Sequence, residues 1–249
     1  MEDSVTMLLD QYWETIDALY AKIRRTQKEN IIKAGELIAK AVDGGACVHI
    51  HDSGHIINSE LIYRGGGLIL YKQFKYALNV ENPVRKRDRS DMNTSMEGLA
   101  AYALKASGAR PGDVFVLGSV SGRSFGVVDL AYEAKKLGMK IIVITSMSYA
   151  TEVESPHSSG KKLFEFADIV LDNCAPAAEA MMEVEGLEAR LGAASGLSAA
   201  FIMWSVTSVA VEELLKRGKM PGVLKSANFP GGNDYNKGFV EPRYEREGL

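Results

Sequence analysis

Apolar residues at Val5, Leu8, Leu9, Tyr12, Trp13, Ile16, Leu19, Tyr20 and Ile23 recur at spacings of three and four. That period predicts an amphipathic helix. Ile31, Ile32, Leu37, Ile38, Ala41 and Val42 continue it after a polar break at 27–30, and Gly44-Gly45 ends it. Residues 1–45 therefore read as a helical arm that packs on its own sheet or on a second subunit. From residue 46 the period changes. Short continuous apolar runs at 46–51, 68–71, 114–117, 141–144 and 169–171 are each bounded by Gly, Ser, Asp or Asn. They read as buried strands, with helices expected at 55–64, 94–106, 124–137, 161–166, 185–191 and 195–217. Continuous apolar strands alternating with helices predict an α/β domain over 46–220, a parallel sheet covered on both faces. Residues 72–93 have no clear period. Residues 221–249, rich in Gly, Pro and Asn, are expected to be an irregular tail or to lie across a neighbour.

The strand ends carry the functional signal. Four exits are polar: Asp52-Ser53-Gly54, Gly118-Ser119, Thr145-Ser146 and Asp172-Asn173. In an open parallel sheet such exits share one edge, where ligands bind. The stretch 118–124, GSVSGRS, joins a strand to a helix start. Small residues there let the backbone approach a ligand, and free N–H groups with the hydroxyls of Ser119, Ser121 and Ser124 suit a phosphate. The other reading of the same residues is a hydroxyl-capped helix start without a ligand. Neither the dinucleotide fingerprint G-x-G-x-x-G nor a G-x-x-x-x-G-K-[ST] loop is present.

Charge and cysteine content narrow the class. A net charge of −3 gives no electrostatic footprint for nucleic acid or an anionic membrane, so neither partner is expected. The run Arg85-Lys86-Arg87-Asp88-Arg89 is short and mixed. Two separate cysteines, Cys47 and Cys174, fit a reducing compartment. The first residues are acidic where a signal peptide is basic. The apolar run 197–211 is roughly half to three-quarters of a membrane span. A cytoplasmic protein is expected.

GSVSGRS, the helix after it and GMKIIVITS resemble the phosphosugar-binding core of the sugar isomerase (SIS) domain family. DSGHIINSELIYRGGGL and HSSGKKLFEFADIVLDN resemble SIS proteins described as phosphosugar or phosphoheptose isomerases. The resemblance runs from about Cys47 to Pro176. It implies a five-stranded parallel sheet of flavodoxin-like order, a homodimer or homotetramer, and a site at the strand exits. On this resemblance Ser119, Ser121 and Ser124 bind phosphate, Gly122 lets the loop reach it, Thr145 with Ser146 forms the fourth-strand contact, and Ser53 and Gly54 face the sugar. The chain departs from relatives in having Asp52 in the first turn, and Ala178-Glu179 where Gly-Asp is frequent.

An aldose–ketose isomerase needs a base that moves a proton between adjacent carbons and an acid that opens the ring. Glu60, in SELIYR, resembles the catalytic glutamate of phosphoheptose isomerases. Its alternative is an i,i+4 ion pair with Arg64. Glu97 fits a base or a helix-dipole position equally. His49 reads as a core residue, and His51 fits either role. His55 and His157 are taken as ring-opening acid or sugar ligands, with capping or loop roles as alternatives. Lys161 is a phosphate partner or a solvated lysine. No cofactor is expected, although His51, His55, Glu60 and His157 are residue types that suit zinc. The reading is a phosphosugar isomerase. Its alternatives are a phosphosugar-binding regulatory protein and a lyase or etherase acting on an amino-sugar phosphate.

Overall fold

In a computed structural model of the chain, residues 7–54, 57–88, 90 and 95–249 are described. The arm is one unbroken helix, α1 (Leu8–Asp43). The polar segment at 27–30 does not interrupt it, because those side chains meet backbone rather than water. Gln27 is buried, and its Oε1 accepts from the Asp172 N–H at 3.1 Å. Asn30 Nδ2 donates to the Val170 carbonyl at 3.2 Å. Both partners lie on β5 (Ile169–Asp172), the last strand of the sheet. The polar patch of α1 thus satisfies the unpaired groups of a sheet edge.

The sheet also contains β1 (Val48–Asp52), β2 (Tyr71–Gln73), β3 (Val114–Gly118) and β4 (Lys140–Thr145). Its five strands run in the order β2-β1-β3-β4-β5, all pairs parallel. This is the flavodoxin-like order expected. Alternate residues split the core in two. Val48, Ile50, Val114, Val116, Ile142, Ile144 and Leu171 face α1 and the long helix α6, Ser195–Lys216, which follows several intervening elements. Phe115, Leu117, Ile141 and Val143 face α4 (Phe125–Leu137) together with α3 (Leu99–Ser107). Thr94, an expected cap for α3, lies outside the described residues. The remaining short helices beside the sheet are α2 (Asn58–Leu61) and α5 (Met147–Ala150).

Three expectations change. Residues 185–191 are not helical but lie in a hairpin, where β6 (Ala180–Met182) pairs antiparallel with β7 (Leu191–Ala193). That stretch has no apolar helical face, and Gly186 and Gly192 adopt φ +82° and +83°. The second strand lies at 71–73 rather than 68–71, because Leu68 pairs with Val223 instead. The tail is not irregular. Hydrogen bonds from Gly66 N to Leu224 O, Ile69 N to Gly222 O and Leu224 N to Gly67 O dock it on the chain's own core. Ile69, Leu224 and Val240 then form a small apolar cluster beneath α7 (Gly232–Tyr235) and α8 (Glu241–Glu247).

Helix α6 is long and apolar enough to cross a membrane by length and composition alone. Its packing accounts for that composition, since Ile202, Met203, Val206, Ala210 and Leu214 are buried in the core shared with α1. The close approach depends on Gly35. A β-carbon there would lie 2.5 Å from Val209 Cβ and 2.9 Å from the Val206 carbonyl oxygen. Alanine ordinarily improves a helix interior over glycine by about 1 kcal/mol. At Gly35 overpacking reverses the sign, and Gly35→Ala is expected to destabilise the fold by about 1–3 kcal/mol in urea unfolding. Gly126 on α4 has nothing within 4 Å of such a carbon. There the same substitution is expected to be neutral or stabilising.

Candidate functional site

The exits of β1, β3, β4 and β5 come together along one edge, as the parallel register requires. Their polar residues divide by what they bind. The Asp52 carboxylate folds the first turn: Oδ1 accepts from Gly54 N at 3.1 Å, and Oδ2 from Ile57 N and Asn58 N, both at 2.8 Å. This gives the acidic residue in the first turn a role, since the carboxylate organises the turn from beneath. Asp172 does the same at β5, where Oδ1 accepts from Met147 N and Cys174 N. Thr145 is fully buried, and its hydroxyl donates to the Val120 carbonyl at 3.0 Å. Ser146 caps α5 by accepting from Tyr149 N, and donates to the Ala175 carbonyl at 2.7 Å. Thr145 and Ser146 therefore support the loop 119–124 and its neighbour from below.

That loop lies over Thr145 because Gly122 allows it. Gly122 has φ +59°, and a β-carbon there would approach Thr145 Oγ1 to 3.2 Å and Leu163 Cβ to 3.4 Å. The Gly122 carbonyl accepts from Leu163 N at 2.9 Å. Ser119 is buried, with its N–H bound to the Ile144 carbonyl at 3.0 Å. Beyond it, the N–H groups of 120–124 donate to no backbone carbonyl among the described residues. Ser124 occupies the N-cap position of α4, but its side chain makes no capping hydrogen bond. The capped-helix reading is thus not what the loop does with that hydroxyl.

Above the loop is an open cleft of about 420 Å³, lined by Ser53, Gly54, Ser119, Val120, Ser121, Ser124, Tyr149, Ala178 and Glu179. Five of the expected site residues share it: Ser53, Gly54, Ser119, Ser121 and Ser124. Gly122, Thr145 and Ser146 shape it from beneath. Tyr149 and Glu179 belong to it without having been expected.

Of the expected catalytic residues, Glu60 and His157 lie elsewhere. Glu60 is on α2, half-exposed, in an ion pair with Arg64 at 3.1 Å. It lines a separate groove with Tyr20, Phe201 and Trp204. His55 lies outside the described residues. His157 does not reach the cleft. It is buried on the α3–α4 side, packed between Phe125 and Tyr132, with Nδ1 2.8 Å from Ser159 Oγ. Its Nε2 is 3.6 Å from Asp129 Oδ1 and 4.0 Å from Glu97 Oε1. Asp129 in turn accepts from Gly98 N and Ala100 N, holding the start of α3. Lys161 lies over the Phe166 ring at 5.6 Å. His49 binds Asp113 at 3.2 Å, a satisfied core role, and His51 binds the Phe74 carbonyl at 3.0 Å. Among the described residues no three His, Cys, Asp or Glu side chains come together as a metal site, so His51, Glu60 and His157 do not form the zinc set.

The fold is that of known proteins. A family profile described as the SIS domain matches residues 11–146. The chain belongs to the SIS domain family. It is 33% identical to a UPF0309 protein of Shouchella clausii over 94% of this chain and 95% of that one. It is 34% identical to a UPF0309 protein of Listeria monocytogenes over 90% of this chain and 92% of that one. Among solved structures, a phosphoheptose isomerase from Francisella tularensis shares the fold with a TM-score of 0.51 and 15% identity, over 84% of this chain and all (100%) of that one. The Vibrio vulnificus NanR protein complexed with ManNAc-6P also has a TM-score of 0.51, at 16% identity, over 86% of this chain and 66% of that one.

One electrostatic contact ties the SIS core to the segment before α3. Glu97 Oε1 accepts from Ser158 N at 2.6 Å. The hydrogen bonds from Ser158, with a smaller contribution from His157, hold the Glu97 carboxyl below the usual glutamate range. A group depressed in the fold stabilises it above its unfolded value and stops doing so as pH falls through the folded one. The Ser158 amide is therefore expected to stay protected from exchange at neutral pH. It is expected to lose protection, beyond the intrinsic pH dependence of exchange, only below the ordinary glutamate range, and Glu97→Gln should remove that acid transition.

Proposed function

We propose that this SIS protein binds a sugar phosphate in the cleft, its phosphate on the loop 119–124, and interconverts aldose and ketose forms. The observation that carries the reading is the loop itself. N–H groups 120–124 have no backbone acceptor among the described residues, the Ser124 side chain makes no capping hydrogen bond, and Val120, Ser121 and Ser124 line the strand-exit cleft. Such a concave set of donors suits a tetrahedral anion. Ser53 and Gly54, at the exit of the neighbouring strand β1, line the same cleft and would meet the sugar hydroxyls. The complex of the Vibrio vulnificus NanR protein with ManNAc-6P, a sugar phosphate, supports the ligand class. The phosphoheptose isomerase of Francisella tularensis supports the reaction class. Isomerisation needs only proton transfers, for which Glu60 is the base that the family resemblance nominates.

We place the protein in the cytoplasm as a homodimer or homotetramer, with no nucleic-acid or membrane partner. Leu8, Leu9 and Trp13 on α1 and Leu197 on α6 are exposed apolar side chains that association would cover. A second reading is a phosphosugar sensor that binds without turnover. What favours it is Glu60, whose carboxylate is paired with Arg64 in a groove apart from the cleft.

Two measurements separate these readings. A hexose, heptose or amino-sugar phosphate at a hundred times its Kd is expected to stabilise the protein by about 2.7 kcal/mol. The double variant Ser121→Ala, Ser124→Ala should lose most of that thermal shift. If no sugar phosphate shifts the melting temperature, the ligand class is wrong. Glu60→Gln is expected to keep the shift and to lose turnover; unchanged turnover would remove Glu60 as the base, and a wild type that binds without turnover is a sensor.

A further inference from the structure

Glu179 lines the cleft together with Ser119, Ser121 and Ser124 of the hydroxyl loop. Its backbone is unusual. Ala178 and Glu179 are consecutive non-glycine residues with φ +61° and +71°. A side chain with a β-carbon is disfavoured there and persists only where its surroundings impose the conformation. Here they do. Glu179 N donates to the Pro176 carbonyl at 3.0 Å, and Ala194 N donates to the Glu179 carbonyl at 3.1 Å. Ser195, fully buried at the start of α6, donates its hydroxyl to Glu179 Oε1 at 3.1 Å. Backbone and carboxylate are thus both held from the α6 side while the residue borders the cleft.

A fixed carboxylate in a cleft that takes a phosphate discriminates among ligands. A sugar phosphate whose other groups are hydroxyls brings negative charge alone and meets repulsion at Glu179. A sugar with phosphate at one end and an ammonium group towards the other matches both features. The loop meets its phosphate, and the carboxylate meets its ammonium in a charge-assisted hydrogen bond. Because Ser195 and the backbone already hold Glu179, little freedom is lost when it pairs. In a 2-amino-2-deoxyhexose 6-phosphate the two charged groups stand well apart on the sugar, and a cleft of about 420 Å³ is of a size for one such molecule.

We propose that Glu179 is the specificity-determining residue of the cleft: it selects an amino-sugar phosphate by pairing with the free ammonium group, and Ser195 is its positioning residue. The assignment rests on the phosphosugar reading of the cleft and gives that reading a narrower ligand class. It concerns binding, and it stands apart from which residue moves a proton.

The test is calorimetric titration of the full-length protein at pH 7 with glucose 6-phosphate, glucosamine 6-phosphate and N-acetylglucosamine 6-phosphate. The first two differ only in a hydroxyl or an ammonium group at C2, and the acetyl group of the third removes the charge. Wild type is expected to bind glucosamine 6-phosphate about tenfold or more tightly than glucose 6-phosphate, the scale of one hydrogen bond between charged groups. N-acetylglucosamine 6-phosphate should lose that advantage. Added salt should shrink the ratio, since the cleft is open to solvent. Glu179→Gln keeps a group that accepts from Ser195. It is expected to bind glucosamine 6-phosphate less tightly than wild type and glucose 6-phosphate more tightly, so the ratio falls to about one. Ser195→Ala should narrow the ratio, whereas a purely structural role would weaken both ligands alike. A wild type that binds glucose 6-phosphate as tightly as glucosamine 6-phosphate overturns the assignment and leaves the phosphosugar reading standing. A preference that survives in Glu179→Gln, or is shared by the N-acetyl compound, overturns it too. If none of the three compounds binds wild type, the phosphosugar reading fails and the assignment fails with it.

Discussion

A parallel sheet leaves neither face to water, and that requirement organises this chain. The central strands β3 and β4 are apolar on both sides, so each face needs a helical layer. On one face α1 and α6 supply it, and their axes come close only because Gly35 has no side chain against Val209. On the other, α3 and α4 cover Phe115, Leu117, Ile141 and Val143. The open edge at β5 is closed by polar groups of α1 rather than by another strand. With both faces and that edge occupied, the strand exits become the place where polar groups gather.

Those exits are polar for two different reasons. Asp52, Asp172, Thr145 and Ser146 bind backbone groups of the turns that follow, and their chemistry is used within the fold. Ser53, Ser121, Ser124 and Glu179 border the cleft. The first set makes the second possible, since a loop whose own N–H groups are left without backbone acceptors must be held by contacts beneath it. Gly122 over Thr145 is the point where support and cradle meet.

Much of this was legible in the residues. Apolar period and turn residues located β1, β3, β4 and β5, their parallel arrangement, α4, α6 and the hydroxyl loop, because each rests on local signals that burial reinforces. The rest depended on contacts that no local pattern carries. The polar segment at 27–30 looked like a break because nothing nearby in sequence shows that Gln27 and Asn30 meet β5. The tail looked structureless because its order comes from docking on Gly66, Gly67 and Ile69, far away in the chain. His157 looked like a site residue because its loop is polar, yet its ring is buried against Phe125 and Tyr132. Glu179 carried one visible sign, its place with Ala178 just after the polar exit of β5. The left-handed backbone that gives the pair its meaning is visible only in three dimensions.

That backbone also bears on how such a protein evolves. Glycine at position 178 would relieve a left-handed conformation worth about 1–3 kcal/mol. Selection for thermal stability alone would therefore favour losing the alanine. Its β-carbon narrows the conformations open to the neighbouring residue, so a chain that keeps it exchanges some stability for stiffness at the rim of the cleft. Glycine at this position, chosen for hardiness alone, would loosen the segment that borders the cleft.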